Sequence, residues 1–137
     1  MQKLNRYVAC LSVFVLFSVI MACDKNGNSQ DVGGPQITVY NPSNGDQFQF
    51  QDTVFLSANI TDASELQEVV VLLINGADTV EIWPPAPVIF GNVTQYTIDD
   101  LVINNVGVAD TTNAILRFQA MDKHDNSSYD DIQIILF

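Results

Sequence analysis

The stretch TVFLSANIT, residues 53–61, alternates between apolar and mostly polar side chains. Val54, Leu56, Ala58 and Ile60 occupy the apolar positions. Because successive side chains of a β-strand point to opposite faces, this period of two predicts a strand that covers one side of an apolar core. From residue 36 onward no helical period stands out, so the alternation sets the fold class.

Further strands are predicted on both sides of this stretch. Residues 68–74, EVVVLLI, form a continuous apolar run, which suits a central strand covered on both faces or a strand beside a partner surface. Asn75 and Gly76 predict a hairpin turn, and the prolines of WPPAP, residues 83–87, exclude that segment from a sheet interior. The predicted strands lie at residues 37–40, 53–61, 68–74, 79–83, 95–103, 114–121 and 129–137. About seven strands in roughly a hundred residues predict an all-β fold, an antiparallel β-sandwich.

The charge of the chain limits its partners. The 137 residues carry a formal net charge of −11, and the part from Cys23 onward has sixteen acidic and three basic residues. So acidic a chain repels phosphate groups, which makes nucleic acid an unexpected partner and disfavours an anionic lipid surface. Cations or basic partners would be attracted instead.

Residues 1–22 are typical of a signal peptide, with two basic residues followed by an apolar run too short for a convincing membrane span. The segment Ile20-Met21-Ala22-Cys23 resembles the bacterial lipobox, and the resemblance implies cleavage before Cys23 and attachment of lipid to its thiol. Several acyl chains would anchor the protein stably. Residues 23–35 are then the lipidated cysteine and a flexible linker, and residues 36–137 the folded domain. The alternative is an ordinary secretory signal with an incidental cysteine.

The order of short motifs in the domain resembles that of bacterial immunoglobulin-like domains, which are related to fibronectin type III-like domains and occur on surface lipoproteins and adhesins. The matching segments are Pro35 to Val39 with Asn41-Pro42, Asn44 to Asp46, Asp52 to Val54, Leu56 to Asp62, Val69 to Gly76, and Ala120 to Asp122 with Asp125 to Ser127. The anchor followed by one domain is similar to small lipoproteins of the Bacteroidetes type. Asp125 stands where the family usually has glycine, and residues 83–91 form a longer segment than in the shortest members.

The resemblance implies an immunoglobulin-like β-sandwich that acts as a binding or spacer module, not as an enzyme. The residues agree. His124 is the one histidine after Cys23 and no further thiol follows, so a zinc site is not expected. The pairs Asp99-Asp100 and Asp130-Asp131 lie on predicted strands, where neighbours point to opposite faces and cannot form an acid/base dyad.

Calcium is the one cofactor left open. Asp122, Asp125 and Asn126 lie in one predicted turn and Asp62 ends another strand, and oxygen ligands on loops suit calcium. No complete calcium-binding motif is present, and the same residues are common turn formers, which is the favoured interpretation. No other cofactor is expected.

Two surface features are predicted. Trp83, Pro84 and Pro85 are a candidate contact loop, because rigid prolines beside an exposed tryptophan form a low-entropy anchor. Trp83, Tyr96 and Tyr129 are candidates for a sugar-stacking platform, against the alternative that they fill the core or an edge.

Three threonines follow an aspartate in a pattern that resembles the Bacteroidetes O-glycosylation motif. They are Thr53, Thr79 and Thr111. The alternative is that aspartate ends a turn and threonine begins a strand.

These observations predict a lipid-anchored lipoprotein of the cell envelope, expected at the outer membrane, with its leaflet left open. Its immunoglobulin-like domain would be a non-catalytic binding or structural accessory for a protein or glycan partner. The alternative function is a carbohydrate-capture module serving an outer-membrane transporter.

Overall fold

A computed structural model describes residues 33–84 and 90–137 of the chain. The predictions for the signal peptide, for Cys23, for most of the linker and for Pro85 lie outside these residues. No helix within the described residues is long and apolar enough to cross a membrane.

The described residues form eight β-strands, and the predicted all-β fold is confirmed. All seven predicted strands are present, with bounds that shift by a few residues. The strands are β1 (Gln36–Asn41), β2 (Gln47–Phe48), β3 (Thr53–Thr61), β4 (Leu66–Asn75), β5 (Asp78–Trp83), β6 (Gln95–Ile103), β7 (Thr112–Asp122) and β8 (Ser127–Leu136). The additional strand, β2, has two residues, which is too short for a period to be visible in the sequence.

The strands form two sheets. One has the order β1-β3-β6 and the other the order β2-β8-β7-β4-β5. Every pairing is antiparallel except that between β2 and β8, which is parallel. The chain therefore changes sheets between β1 and β2, and the antiparallel prediction is wrong at this one pairing.

The two sheets enclose one apolar core. The predicted inner face of β3, formed by Val54, Leu56, Ala58 and Ile60, is buried and the prediction is confirmed. The facing strands supply Val71, Leu73, Leu116 and Phe118 among others. Burial of one such aliphatic side chain stabilises a fold by about 2 kcal/mol, so these two inner faces hold the sheets together.

Strand β4 contains the continuous apolar run. Val69, Val71 and Leu73 are buried in the core, whereas Val70 and Leu72 on the opposite face are only half-buried. Of the two predicted settings, the strand covered on both faces is therefore wrong within the described residues, and the strand beside a partner surface stays a prediction. The run is continuous because the outer face is also apolar, beside β7 side chains in the same sheet.

The folded domain begins before residue 36, which the sequence analysis took as its first residue. Pro35 is buried, and a Cβ atom on Gly34 would lie 2.6 Å from the Ser128 hydroxyl oxygen, so a side chain there would collide with β8. The last two residues of the predicted linker thus pack against the domain.

Candidate functional site

The side of the sandwich between β5 and β6 is open, because each of these strands is the last of its sheet. A cleft of about 440 Å³ lies between them. Its apolar lining includes Val80, Ile82, Trp83, Leu101, Val102 and Ile103. This volume lies within the range of roughly 300–1,000 Å³ typical of ligand pockets.

A hydrogen bond links the two sheets across the inner end of this cleft. Trp83 Nε1 donates to Asp100 Oδ2 at 2.9 Å, and the Leu101 amide donates to Asp100 Oδ1 at 2.8 Å. The Trp83 ring also lies 6.0 Å from the ring of Tyr96. Asp100 therefore joins the end of β5 to the edge of β6.

The predicted exposure of Trp83 is wrong, because its side chain is 4% exposed. A register shift in the β4–β5 pairing places Trp83 directly opposite Val71, which is a core residue. Directly paired residues share a face of the sheet, so the tryptophan points into the core. Pro84 is also buried. Neither residue can serve as the exposed anchor of a contact loop.

The predicted sugar-stacking platform is also wrong. Tyr96 is half-buried and meets Phe90 edge to face at 4.8 Å between ring centroids. Tyr129 lies on β8, in the other sheet, with the Arg117 guanidinium 4.0 Å from its ring centroid. Trp83 and Tyr96 are neighbours, but Trp83 is buried and Tyr129 lies apart from both, so the three rings form no common exposed surface. The alternative, that they fill the core or an edge, fits Trp83 and Tyr96.

A patch of large apolar side chains adjoins the cleft on the outer face of the three-stranded sheet. We define the β3–β6 patch as Phe55, Leu101 and Ile103, which are 42%, 64% and 55% exposed. Phe55 pairs with Leu101, and Ile103 pairs with Thr53, so all three side chains share one face. The sequence analysis did not single out this patch, although a period of two from the buried Ile98 places Leu101 and Ile103 outside.

The surroundings of the cleft are acidic. Glu81 and Asp100 line it, and Asp99 lies on the outer face of β6 opposite Ser57. The two basic residues within residues 33–84 and 90–137 are both paired elsewhere. Arg117 binds Asp131 through two hydrogen bonds of 2.8 Å, which raise the pKa of Arg117, and Lys123 binds Glu65. The open side is therefore a negatively charged surface.

The calcium candidates come partly together around Asp122, which is fully buried at the end of β7. Its Oδ1 accepts the amides of His124 at 2.7 Å and Asn126 at 2.8 Å, and its Oδ2 accepts Asn126 Nδ2 at 2.9 Å. The Ser64 hydroxyl lies 2.9 Å from Asp122 Oδ2 and 2.6 Å from Asp62 Oδ1, and the two carboxylates compete for its one hydrogen.

Burial of Asp122 favours the neutral form and would raise its pKa. The hydrogen bonds from Asn126, Ser64 and the His124 amide favour the carboxylate more strongly, so the pKa lies below its usual value. No group of three or more histidine, cysteine, aspartate or glutamate side chains in the described part of the chain is arranged to hold a metal. The contacts of Asp122 fit the turn-former interpretation, and calcium binding stays a prediction.

The arrangement of two sheets, with the chain crossing from one to the other between β1 and β2, is that of an immunoglobulin-like sandwich. Residues 35–129 match the protein family described as bacterial Ig domain. The chain belongs to this family.

Two solved structures are similar to this bacterial Ig domain. The fibronectin(III)-like modules of Clostridium thermocellum CbhA match with 15% identity and a TM-score of 0.45, over 74% of this chain and 94% of that one. The structure of murine CRIg matches with 15% identity and a TM-score of 0.38, over 76% of this chain and 97% of that one. No protein in the curated set matches this chain.

The backbone of the β7–β8 turn explains why this bacterial Ig domain can have Asp125 where the family usually has glycine. This residue has a φ of 63°, a left-handed conformation that glycine adopts freely and aspartate adopts more readily than most residues. The Asp125 amide donates to the Asp122 carbonyl at 3.2 Å. Aspartate therefore occupies a position whose backbone suits the family's glycine.

The candidate O-glycosylation sites of the bacterial Ig domain lie in three different places. Thr53 begins β3, Thr79 lies in β5 and Thr111 directly precedes β7, and all three are exposed. Their exposure leaves them accessible to an enzyme, and their modification stays a prediction.

Proposed function

We propose that this protein is a lipid-anchored lipoprotein of the bacterial cell envelope whose Ig domain is a non-catalytic module that binds another envelope protein. The observation that carries the binding role is the open β5–β6 side, where an apolar cleft and the β3–β6 patch meet. Exposed apolar surface that adjoins a cleft is a common mark of an interaction site. The anchor would hold this surface close to the bilayer, at the outer membrane.

The support for the anchor is the sequence Ile20 to Cys23 with the basic and apolar residues before it. The non-catalytic role is supported by the way the acidic side chains are used. Asp100, Asp122 and Asp131 each accept hydrogen bonds that organise the fold. Carbohydrate capture for a transporter is the second candidate, and it loses its support because the aromatic platform is not formed.

Replacement of Cys23 by serine is expected to abolish lipid attachment. Cells fed radiolabelled palmitate should incorporate the label into the wild-type chain and not into Cys23→Ser. Cys10→Ser is the matched control, because Cys10 lies within the apolar run of the predicted signal peptide and its loss should leave labelling unchanged. Labelling that survives Cys23→Ser, or its absence from the wild type, would refute the anchor.

The binding role predicts a position-dependent contact. A photo-cross-linking amino acid at position 101 of the full-length protein, in its native cells, should yield a discrete adduct with a second protein. The same amino acid at position 40 is the control, because Tyr40 is 58% exposed and lies on β1, at the opposite end of the same sheet. Adducts from both positions, or from neither, would contradict a binding surface at the open side.

A further inference from the structure

Within the residues that the structure describes, the outer edge of β6 carries main-chain groups that no neighbouring strand pairs with. The amide of Asp62 donates to the carbonyl of Thr94, and the amide of Asn104 donates to the carbonyl of Asp52. In an antiparallel pair of strands, every second residue forms hydrogen bonds with the partner strand. These two bonds show that the even-numbered residues of β6 bond to β3, so the main-chain N–H and C=O groups of the odd-numbered residues point away from β3. Among the described groups that point away, the Leu101 amide is satisfied by Asp100.

This edge has only part of the usual protection of an edge strand. Proteins guard such edges with charged side chains, inward-pointing charges, proline, bulges or very short strands, and of these β6 has the charged Asp99 and the inward-pointing Asp100. Strand β6 has nine residues, its register with β3 runs without a bulge, and its sequence contains neither lysine nor proline. An extended polypeptide can therefore pair with it.

A strand added to β6 would meet apolar surface on both of its faces. Side chains on one face would enter the cleft beside Ile82 and Val102, and those on the other would lie beside Leu101 and Ile103. Because successive side chains of a strand alternate between faces, the added strand would be apolar at consecutive positions. This is the pattern of a strand that is covered on both sides.

The negative charge around the β6 edge favours a basic segment as the added strand. Glu81, Asp99 and Asp100 surround the place of the added strand, and the described residues place no cation there. A second copy of this chain would bring two sets of carboxylates together, which is unfavourable. A basic segment would instead be attracted and steered to the edge.

We propose that β6 accepts an extended, apolar segment flanked by basic residues from an envelope protein, which adds as a fourth strand to the three-stranded sheet. This inference rests on the proposed binding function and specifies its mode and the chemistry of the partner. Main-chain hydrogen bonds supply affinity in strand addition, and side-chain pockets and charge supply specificity.

The test uses the full-length lipoprotein in detergent and a fluorescent peptide of sequence KRVTVIVKR. Saturable binding is expected by anisotropy, and Leu101→Lys and Ile103→Lys should each weaken it about tenfold or more. Tyr40→Lys, with the same charge change at the opposite edge of the sheet, should bind as the wild type does. The three positions are exposed, so the variants should fold.

Two control peptides separate strand pairing from charge attraction. In KRPTPIPKR prolines remove main-chain donors, and in EEVTVIVEE the flanking charge is reversed; both should bind at least about tenfold more weakly. Hydrogen exchange should also slow at the amides of Thr97, Asp99 and Ile103 when KRVTVIVKR is bound.

Several outcomes would overturn the inference. They are absence of binding up to about 1 mM peptide, equal binding of the proline peptide, unchanged exchange at the β6 amides, or equal loss of binding in Tyr40→Lys. Binding of an oligosaccharide that Leu101→Lys abolishes, with no peptide binding, would also overturn it. A position-specific cross-link at residue 101 without peptide binding would leave the proposed function intact and remove strand addition alone.

Discussion

Replacement of Phe118 by alanine is expected to lower the free energy of unfolding by about 4 kcal/mol. Phe118 lies in the middle of β7, is 1% exposed and is the largest of the fully buried side chains. The loss combines the lost burial of the ring with the cost of the cavity that it leaves between the sheets. Small domains are stable by roughly 5–15 kcal/mol, so this change removes a large part of the total.

Chemical denaturation followed by the fluorescence of Trp83 measures this change, because the chain contains one tryptophan and it is buried. Phe55→Ala is the matched control. It removes the same kind of ring from the three-stranded sheet. Because Phe55 lies on the outer face of that sheet and is 42% exposed, the expected change in the free energy of unfolding is within about 0.5 kcal/mol. Equal losses in the two variants would contradict the assignment of inner and outer faces.

Replacement of Asp122 by alanine is expected to lower the free energy of unfolding by about 3 kcal/mol. The carboxylate is fully buried and accepts the amides of His124 and Asn126, the Asn126 side chain and the Ser64 hydroxyl. Alanine removes the acceptor of the His124 and Asn126 groups, whereas Ser64 keeps Asp62 as an acceptor. Each unsatisfied buried donor costs about 1–3 kcal/mol. The substitution also removes the side-chain link between the carboxylate and Ser64 in the β3–β4 loop, while the bond from the Lys123 amide to the Glu65 carbonyl remains.

Asp125→Gly is the control for this prediction, because Asp125 lies in the same turn but at a left-handed φ of 63°. Glycine has no steric penalty there, so the variant should be as stable as the wild type or more stable by up to about 1 kcal/mol. Denaturation curves of both variants decide the point. An Asp122→Ala variant as stable as Asp125→Gly would refute the role of the carboxylate.

The same network gives the stability a pH dependence. Because the folded-state pKa of Asp122 lies below its unfolded value, folding favours the carboxylate. Its contribution is fully present above about pH 4, near the ordinary aspartate pKa, and declines as pH falls through the folded-state pKa. Asp122→Asn has no such titration, so the stability difference between wild type and this variant should shrink below about pH 4.

Local alternation accounts for most of what the sequence predicted correctly. In β3, and over residues 114–120 of β7, every second residue is apolar and buried. The same rule, applied from Ile98, would have assigned Leu101 and Ile103 to the outer face. Alternation along β5 cannot predict the orientation of Trp83. A register shift in the β4–β5 pairing turns this residue inward, and the shift depends on the partner strand.

The β7–β8 turn was predicted from its Asp and Asn residues, and Asp125 has the tolerated left-handed backbone. The contact of Asp122 with Ser64 was not predicted, because these residues are 58 positions apart and meet only when β4 pairs with β7. The hydrogen bond between Trp83 and Asp100 was not predicted either, because it forms only when the two sheets pack.

The sequence by itself determined the strand class, the inner face of β3 and β7, and the acidic charge of the chain. These properties depend on neighbours along the chain and on composition. Only the tertiary structure decided which strands are last in their sheets, and so where the cleft, the β3–β6 patch and the open edge of β6 meet. Edges arise from the order in which strands pair, and that order is set by contacts between residues far apart in the sequence.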